Sequence, residues 1–129
     1  MKLITDKKEL NTDTSATRWK TGFYQYPRFL VRENISERAK SIYLLLLDRK
    51  RMSERNPYFQ DGDGRVFVYY PVASLMEDFS VSRSTVIRAM GELEEHGMIS
   101  RERQSYGRPN RIYVTSPSEL AEMNEMLKR

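Results

Sequence analysis

The stretch at residues 81–99 constrains the fold most strongly, because it has the pattern of one helix with a signal at each end. Ser82 is a favourable N-cap, since its hydroxyl can accept a hydrogen bond from a free backbone N–H of the first turn. Gly97 can adopt the left-handed conformation that closes a helix. Apolar residues at helical spacing form one stripe between these ends: Val86, Met90 and Leu93. The pattern predicts a helix over residues 82–96 that packs by one face.

The opposite face of this helix carries short hydroxyl side chains and arginines. Its first two turns hold no acidic residue, and the first acidic residue of the helix is Glu92. Arginines and hydroxyls at this place are the donors that a recognition helix brings to phosphates and base edges in the major groove. A solvated charged face is the alternative interpretation. The candidate contact residues on this helix are Ser82, Arg83, Ser84, Thr85 and Arg88.

A hairpin is predicted directly after the helix. Residues 98–104 alternate in the manner of a strand, residues 105–110 form a turn, and residues 111–115 form a second strand. A helix followed by a hairpin with a basic tip is the pattern of a winged helix-turn-helix. The candidate contact residues on the wing, residues 101–111, are Arg101, Arg103, Tyr106, Arg108, Asn110 and Arg111.

The N-terminal part of the chain divides into two segments. Residues 1–18 are polar with little periodicity, which predicts a mobile arm. Residues 18–32 are rich in aromatic side chains around Pro27, and because a proline disfavours helix just before it, we expect an extended segment. Its aromatic residues would pack on the domain or on a second subunit.

Asn34 or Ser36 can cap the next helix, which should continue to about Glu54. This helix is apolar around almost its whole circumference, because Leu44, Leu45 and Leu47 point away from the main apolar face. Such a helix is buried on both sides. The aromatic segment or a partner chain should supply the second cover, so we expect a homodimer.

Between the two helices described so far lie a loop, a strand and a shorter helix. The two Asp-Gly steps of residues 56–65 predict a turn, since further oxygen ligands and a closing glutamate for calcium are missing. Residues 66–70 predict a strand that pairs with the wing strands. Pro71 then opens a helix where its missing N–H costs nothing. At the other end of the chain, Ser116 to Ser118 can cap a last helix.

Four segments together resemble the N-terminal domain of the plasmid replication initiator protein A family. They are residues 23–30, 39–49, 81–83 and 107–114, and the resemblance covers roughly residues 20–116. It implies a winged-helix domain that binds repeated sites in a plasmid origin as a dimer. It also implies a separate C-terminal domain, absent from this chain, through which host replication proteins are recruited.

The expected fold class is therefore α+β, a winged helix-turn-helix with a three-helix core, a small antiparallel sheet and a C-terminal helix. Residues 1–18 are assigned to the arm and residues 19–116 to the winged-helix DNA-binding domain. Residues 117–129 are assigned to a C-terminal helix or to the start of a linker to the absent domain.

The sequence offers little that could support catalysis. His96 is the only histidine and there is no cysteine, so neither a two-histidine metal site nor a thiolate site can be built. Gly62, Gly64 and Gly107 lie in turns, without the following lysine and hydroxyl residue of a phosphate-binding loop. We expect no enzyme, no metal and no cofactor.

Charge and hydropathy agree with a partner that is a polyanion. The net charge is +4 and the pI is near 9.4, which fits nucleic acid without requiring it. No apolar run approaches the ~20 residues that span a bilayer, and the N-terminus lacks a signal-peptide core. We expect a cytoplasmic protein with no membrane partner.

The predicted function is site-specific binding to double-stranded DNA. Arg83 and Arg88 would contact guanine from the helix in the major groove, and Arg108 at the wing tip would reach the flanking minor groove or backbone. Two alternatives remain open. A winged-helix transcriptional regulator would bind an operator, and a protein interaction module would use an apolar outer face, to which only Ile87 could contribute.

Overall fold

The computed structural model describes residues 26–105 and 107–128. The predicted arm at residues 1–18, the aromatic residues before Tyr26 and Tyr106 on the wing lie outside the described residues. The elements in chain order are α1 (Phe29–Arg32), α2 (Glu37–Ser53), a 3-10 turn (Pro57–Phe59), α3 (Val72–Phe79), α4 (Arg83–Glu95), β1 (Ile99–Glu102), β2 (Arg111–Val114) and α5 (Pro117–Lys128).

Helix α1 corrects the prediction of an extended segment up to residue 32. The backbone N–H of Leu30 donates to the carbonyl of Pro27 at 3.1 Å, and the N–H of Val31 donates to that of Arg28 at 3.2 Å. A proline restricts the residue before it, whereas its own fixed φ suits the start of a helix. The prediction was wrong for this turn because it extended the constraint to residues that follow the proline.

Helix α2 lies at the centre of the fold, and Ser36 is its cap. The Ser36 hydroxyl accepts from the backbone N–H of Ala39 at 3.1 Å, which confirms one of the two predicted caps. Helix α2 packs against both α4 and β2. Leu47 is buried, while Leu44 and Leu45 are half-buried against the core. The chain's own elements thus supply much of the second cover that the sequence analysis assigned to the aromatic segment or a partner chain.

The hydrophobic core is formed by α1, α2, α3, α4 and the strands. Side chains from each of these elements are almost fully buried: Leu30, Ile42, Leu46, Leu75, Val86, Met90, Leu93 and Ile112. The predicted stripe on α4 is therefore confirmed as its packing face. Removal of this apolar surface from water holds the helices at fixed angles, so the opposite face of α4 is presented rigidly to solvent.

The sheet has two regular strands, and the segment before α3 is joined to β2 by an isolated bridge. Strands β1 and β2 are antiparallel, with Ile99 opposite Val114 and Glu102 opposite Arg111. The expected strand at residues 66–70 is reduced to two isolated bridges. Val66 pairs with Gln60, and Val68 and Ile112 exchange two backbone hydrogen bonds of 2.9 Å. The predicted pairing of this segment with a wing strand is confirmed, whereas the prediction that it forms a regular strand was wrong. The neighbouring N–H of Phe67 donates to Phe59 instead, and Pro71 has no N–H to extend the ladder.

The turn between α3 and α4 is tight, as a helix-turn-helix requires. Ser80 has a left-handed backbone with φ of 53°, and the N–H of Val81 donates to the carbonyl of Met76 at 3.1 Å. With α2, α3, α4 and the β1–β2 hairpin, the chain has the winged helix-turn-helix fold. The predicted fold class is confirmed.

Helix α5 closes the described part of the chain, where a last helix was predicted. Leu120 packs against the core. The carboxylate of Glu119 lies 3.0 Å from Nζ of Lys50 on α2, and that ammonium also donates to the carbonyl of Val114 at 2.8 Å. These contacts fix the first turn of α5 to α2 and β2.

Candidate nucleic-acid interface

The first turn of α4 is organised by a network of hydroxyls. The Ser82 hydroxyl accepts from the backbone N–H of Thr85 at 3.3 Å and lies within 3.1 Å of both the Ser84 and the Thr85 hydroxyl. The network caps the helix and orients these three side chains. Ser82 and Ser84 are exposed, and Thr85 is half-buried. The predicted hydroxyl candidates are thus brought together at the exposed N-terminus of α4.

Arg83 and Arg88 project from the same helix into solvent. Both are exposed. Within the described part of the chain, neither guanidinium has a hydrogen-bond or ion-pair partner, although Arg88 is close enough to Glu92 to act on its charge. Two free guanidinium groups beside a hydroxyl cluster make a surface that can bind phosphate oxygens or the acceptor edge of guanine.

Glu92 anchors α4 to the start of α2. Its two carboxylate oxygens accept from the backbone N–H of Ser36 at 2.8 Å and from the Ser36 hydroxyl at 2.7 Å. Both hydrogen bonds lower the pKa of Glu92, and the bond from the Ser36 hydroxyl has the larger effect. The sequence analysis missed this role, because no local pattern links residues that lie 56 positions apart.

The wing carries three exposed candidates. Arg103, Arg108 and Asn110 are exposed beyond the last paired residues of the hairpin. Gly107 has φ of +86°, and the N–H of Arg108 donates to the carbonyl of Ser105 at 3.1 Å, so the tip forms a tight turn. Tyr106, the remaining tip candidate, lies outside the described residues. The wing therefore presents two more arginines to solvent.

Gln104 stabilises the wing through two side-chain hydrogen bonds, a role that the sequence did not reveal. Its amide nitrogen donates to the carbonyl of Pro109 at 2.8 Å and to the hydroxyl of Tyr69 at 3.0 Å. The first bond crosses the tip, and the second fixes the hairpin to the segment before α3. The alternation of residues 98–104 places Gln104 on one side of the strand but does not reveal these partners.

Arg101 has a partner within the protein. Its Nη2 lies 2.6 Å from Oε1 of Glu94 on α4, and this hydrogen bond lowers the pKa of the glutamate. A guanidinium held in a charge-assisted bond is less available for an external anion. Arg101 joins β1 to the end of α4 and so sets the position of the wing relative to the helix.

Arg111 lies in an aromatic cluster under the hairpin. Its guanidinium carbon is 4.5 Å from the ring centroid of Phe67. Hydrogen bonding to Tyr113, and to a smaller extent to Tyr69, raises the pKa of Arg111. The guanidinium carbon of Arg65 lies 4.2 Å from the ring centroid of Tyr113. Arg111 is half-buried, in contrast to Arg103 and Arg108. Its surroundings favour a structural role through cation–π contact.

The described residues form neither a metal-binding cluster nor a membrane-spanning helix. In the described ranges, no three histidine, aspartate or glutamate side chains lie close enough together to hold a metal ion. Nor does any helix among residues 26–105 and 107–128 have the length and apolar character needed to cross a membrane.

An exposed arginine-bearing helix beside a basic hairpin defines the class of winged-helix nucleic-acid-binding domains. The family model "Replication initiator protein A (RepA) N-terminus" matches residues 22–128, which is most of the chain. The chain therefore belongs to the family of replication initiator protein A N-terminal domains.

Solved structures share the fold. A structure described as "N-Terminal domain of DNA binding protein" has a TM-score of 0.66 and 24% identity, with 91% of this chain and 94% of that chain covered. "Structure of Rep-DNA complex" has a TM-score of 0.64 and 25% identity, with 89% and 94% covered. "Structure of MDR initiator" has a TM-score of 0.62 and 23% identity, with 91% and 98% covered. No curated protein sequence matches the chain.

Proposed function

We propose that this domain binds double-stranded DNA sequence-specifically, at repeated sites of a plasmid replication origin. Helix α4 would enter the major groove, and the wing would lie on the flanking groove or backbone. The observation that carries the proposal is the pair Arg83 and Arg88, exposed on α4 without an ion-pair partner among the described residues. Membership of an initiator family and the similarity to a Rep protein in complex with DNA support it.

The proposed contacts fall into two groups. On α4, Arg83 and Arg88 would read guanine, while Ser84 and Thr85 would contact phosphates or bases. On the wing, Arg103, Arg108 and Asn110 would contact the backbone or minor groove, and Tyr106 is proposed as a further contact residue. Ser82, Arg101 and Arg111 were predicted as contacts as well. Because the Ser82 hydroxyl caps α4, Arg101 is paired with Glu94 and Arg111 lies over the Phe67 ring, we assign these three residues to orienting the helix and the wing.

The proposal extends to the assembly. We propose that the domain acts in the cytoplasm as a homodimer on adjacent repeats, within an initiator that meets host replication proteins through a C-terminal domain. Residues 19–116 would form the DNA-binding domain, and residues 117–128 would lead towards that further domain. Light scattering of the chain with and without a two-repeat duplex tests the dimer. A mass of one chain in both samples would contradict it.

Binding measured by fluorescence polarisation over a salt series tests the proposal. The wild-type chain should bind a labelled repeat duplex from the parent replicon's origin more tightly than a scrambled duplex. Arg83→Ala or Arg88→Ala should reduce that preference, since one good base contact is worth about 1–3 kcal/mol. Arg108→Ala should weaken binding to both duplexes alike and lower the salt slope by about one.

Arg32→Ala provides the matched control. Arg32 is an exposed arginine at the end of α1, and the next residue, Glu33, contacts His96 at the far end of α4. That end is about 20 Å from Arg83 along the helix. The control variant should bind like the wild type. Weak binding of the wild type to both duplexes, with loss in high salt, would overturn the proposal.

A further inference from the structure

Ile87 is a large apolar side chain on the exposed face of α4. It is 47% exposed, whereas the next residues on the packing face, Val86 and Met90, are buried. Ile87 therefore does not belong to the stripe that holds α4 in the core. A β-branched side chain also loses rotamer freedom in a helix, so local helix stability does not favour it here.

The position of Ile87 on the helix is central to the proposed interface. With about 100° between successive residues, Ser84, Ile87 and Gly91 fall within about 60° of one another around the axis. Arg83 and Arg88 lie at the two edges of this strip, about 140° apart. An apolar side chain is thus framed by two guanidinium groups that have no ion-pair partner in the described part of the chain.

Gly91 leaves open space beside Ile87, one helical turn further along. A Cβ built at Gly91 meets no atom within 4 Å, so nothing inside the described domain requires a glycine there. Glycine in the middle of a helix is unfavourable. The space that a side chain at this position would fill is therefore open next to the isoleucine.

We propose that Ile87 contacts the 5-methyl group of a thymine in the major groove of the bound site. This inference rests on the proposed function. The thymine methyl is the apolar group that base pairs present in the major groove, and small apolar side chains contact it there. The polar and cationic surroundings of Ile87 match a groove lined with acceptors better than the apolar centre of a protein–protein interface.

Uracil substitution tests the contact directly, because uracil lacks only the methyl group of thymine. Each thymine of the repeat duplex is replaced in turn, and dissociation constants are measured for the wild type and for Ile87→Ala. At one or two positions uracil should weaken wild-type binding about four-fold, the effect of losing one buried methyl group. At those positions Ile87→Ala should bind the thymine and uracil duplexes equally.

Val31→Ala is the matched control, since Val31 is 70% exposed on α1 and lies outside the proposed interface. This variant should keep the full uracil response. If every uracil weakens the wild type and Ile87→Ala by the same factor, or no uracil weakens the wild type, the inference is overturned. If the wild type does not prefer the repeat duplex to a scrambled one, the proposed function fails first, and this inference fails with it.

Discussion

The carboxylate of Glu92 holds the N-terminus of α2 through two hydrogen bonds to Ser36, one from the backbone N–H and one from the hydroxyl. Ser36 at the same time caps α2 by accepting from Ala39. A side chain on α4 therefore completes the cap of α2, the helix that α4 packs against. The two helices that position the interface are coupled at this point by charge as well as by apolar packing.

Glu92→Ala should lower the free energy of unfolding by about 1 kcal/mol, since it removes a charge-assisted bond to a backbone N–H at a helix N-terminus. Urea denaturation measures the change. Glu95→Ala is the control, because Glu95 is an exposed acid of the same helix. Equal stability of the two variants would show that the contact with Ser36 contributes nothing.

Two glycines, Gly91 inside α4 and Gly97 just after its C-cap, should respond to alanine in opposite ways. Gly91→Ala should stabilise the fold by up to about 1 kcal/mol, because the helix accepts an alanine and nothing lies within 4 Å of its Cβ. Gly97→Ala should destabilise by about 1 kcal/mol, since Gly97 has φ of +70°. Urea denaturation measures the change in the free energy of unfolding for both variants. A change in the same direction for both would contradict the prediction.

Substitution of two arginines of the hairpin should have different effects, one on stability and the other on DNA binding. Arg111→Ala should lower Tm, because it removes the guanidinium that packs on Phe67 beneath the sheet. Arg103→Ala should leave Tm unchanged and weaken DNA binding, since Arg103 is exposed. Thermal unfolding and the polarisation assay together distinguish them. A lower Tm for Arg103→Ala, with wild-type stability for Arg111→Ala, would reverse these assignments.

Helix α5 should contribute to the acid stability of the domain through Glu119. Burial alone would raise the pKa of this carboxylate, but hydrogen bonds from Ser116 and Lys50 lower it from 4.5 to about 2. Because the folded-state pKa is the lower one, the stabilisation is present above pH 4.5 and is lost as the pH falls towards 2.

Unfolding free energy measured against pH checks this expectation. The wild type should lose stability between pH 4.5 and pH 2, and Glu119→Gln should lose less over the same window. Glu122→Gln, which changes an exposed glutamate one turn along α5, should follow the wild-type curve. Identical slopes for the wild type and Glu119→Gln would contradict the assignment.

Local signals made most of the fold predictable. The bounds of α4 follow from Ser82 and from the glycine at its end, and the start of α3 follows from Pro71, because caps and prolines act on neighbouring residues. The segment at residues 66–70 was less predictable. Its β-propensity is that of a strand, but whether it pairs depends on residues more than 40 positions away.

The candidate site was predictable in its location but not in the roles of its arginines. A count of basic residues on the wing includes Arg101 and Arg111 with Arg103 and Arg108. Only the fold shows that Glu94 and Phe67 lie next to the first two. Likewise, Gln104 gave no signal in the sequence, since its partners, Tyr69 and Pro109, are set by the path of the hairpin.

Guanine readout from α4 is the central claim, and 7-deazaguanine tests it most directly, because this base keeps its pairing but lacks the N7 acceptor in the major groove. Each guanine of the repeat duplex is replaced in turn. At one or more positions the replacement should weaken wild-type binding about ten-fold and have little effect on Arg83→Ala or Arg88→Ala. If no position weakens the wild type, or both arginine variants respond as the wild type does, α4 does not read guanine in the major groove.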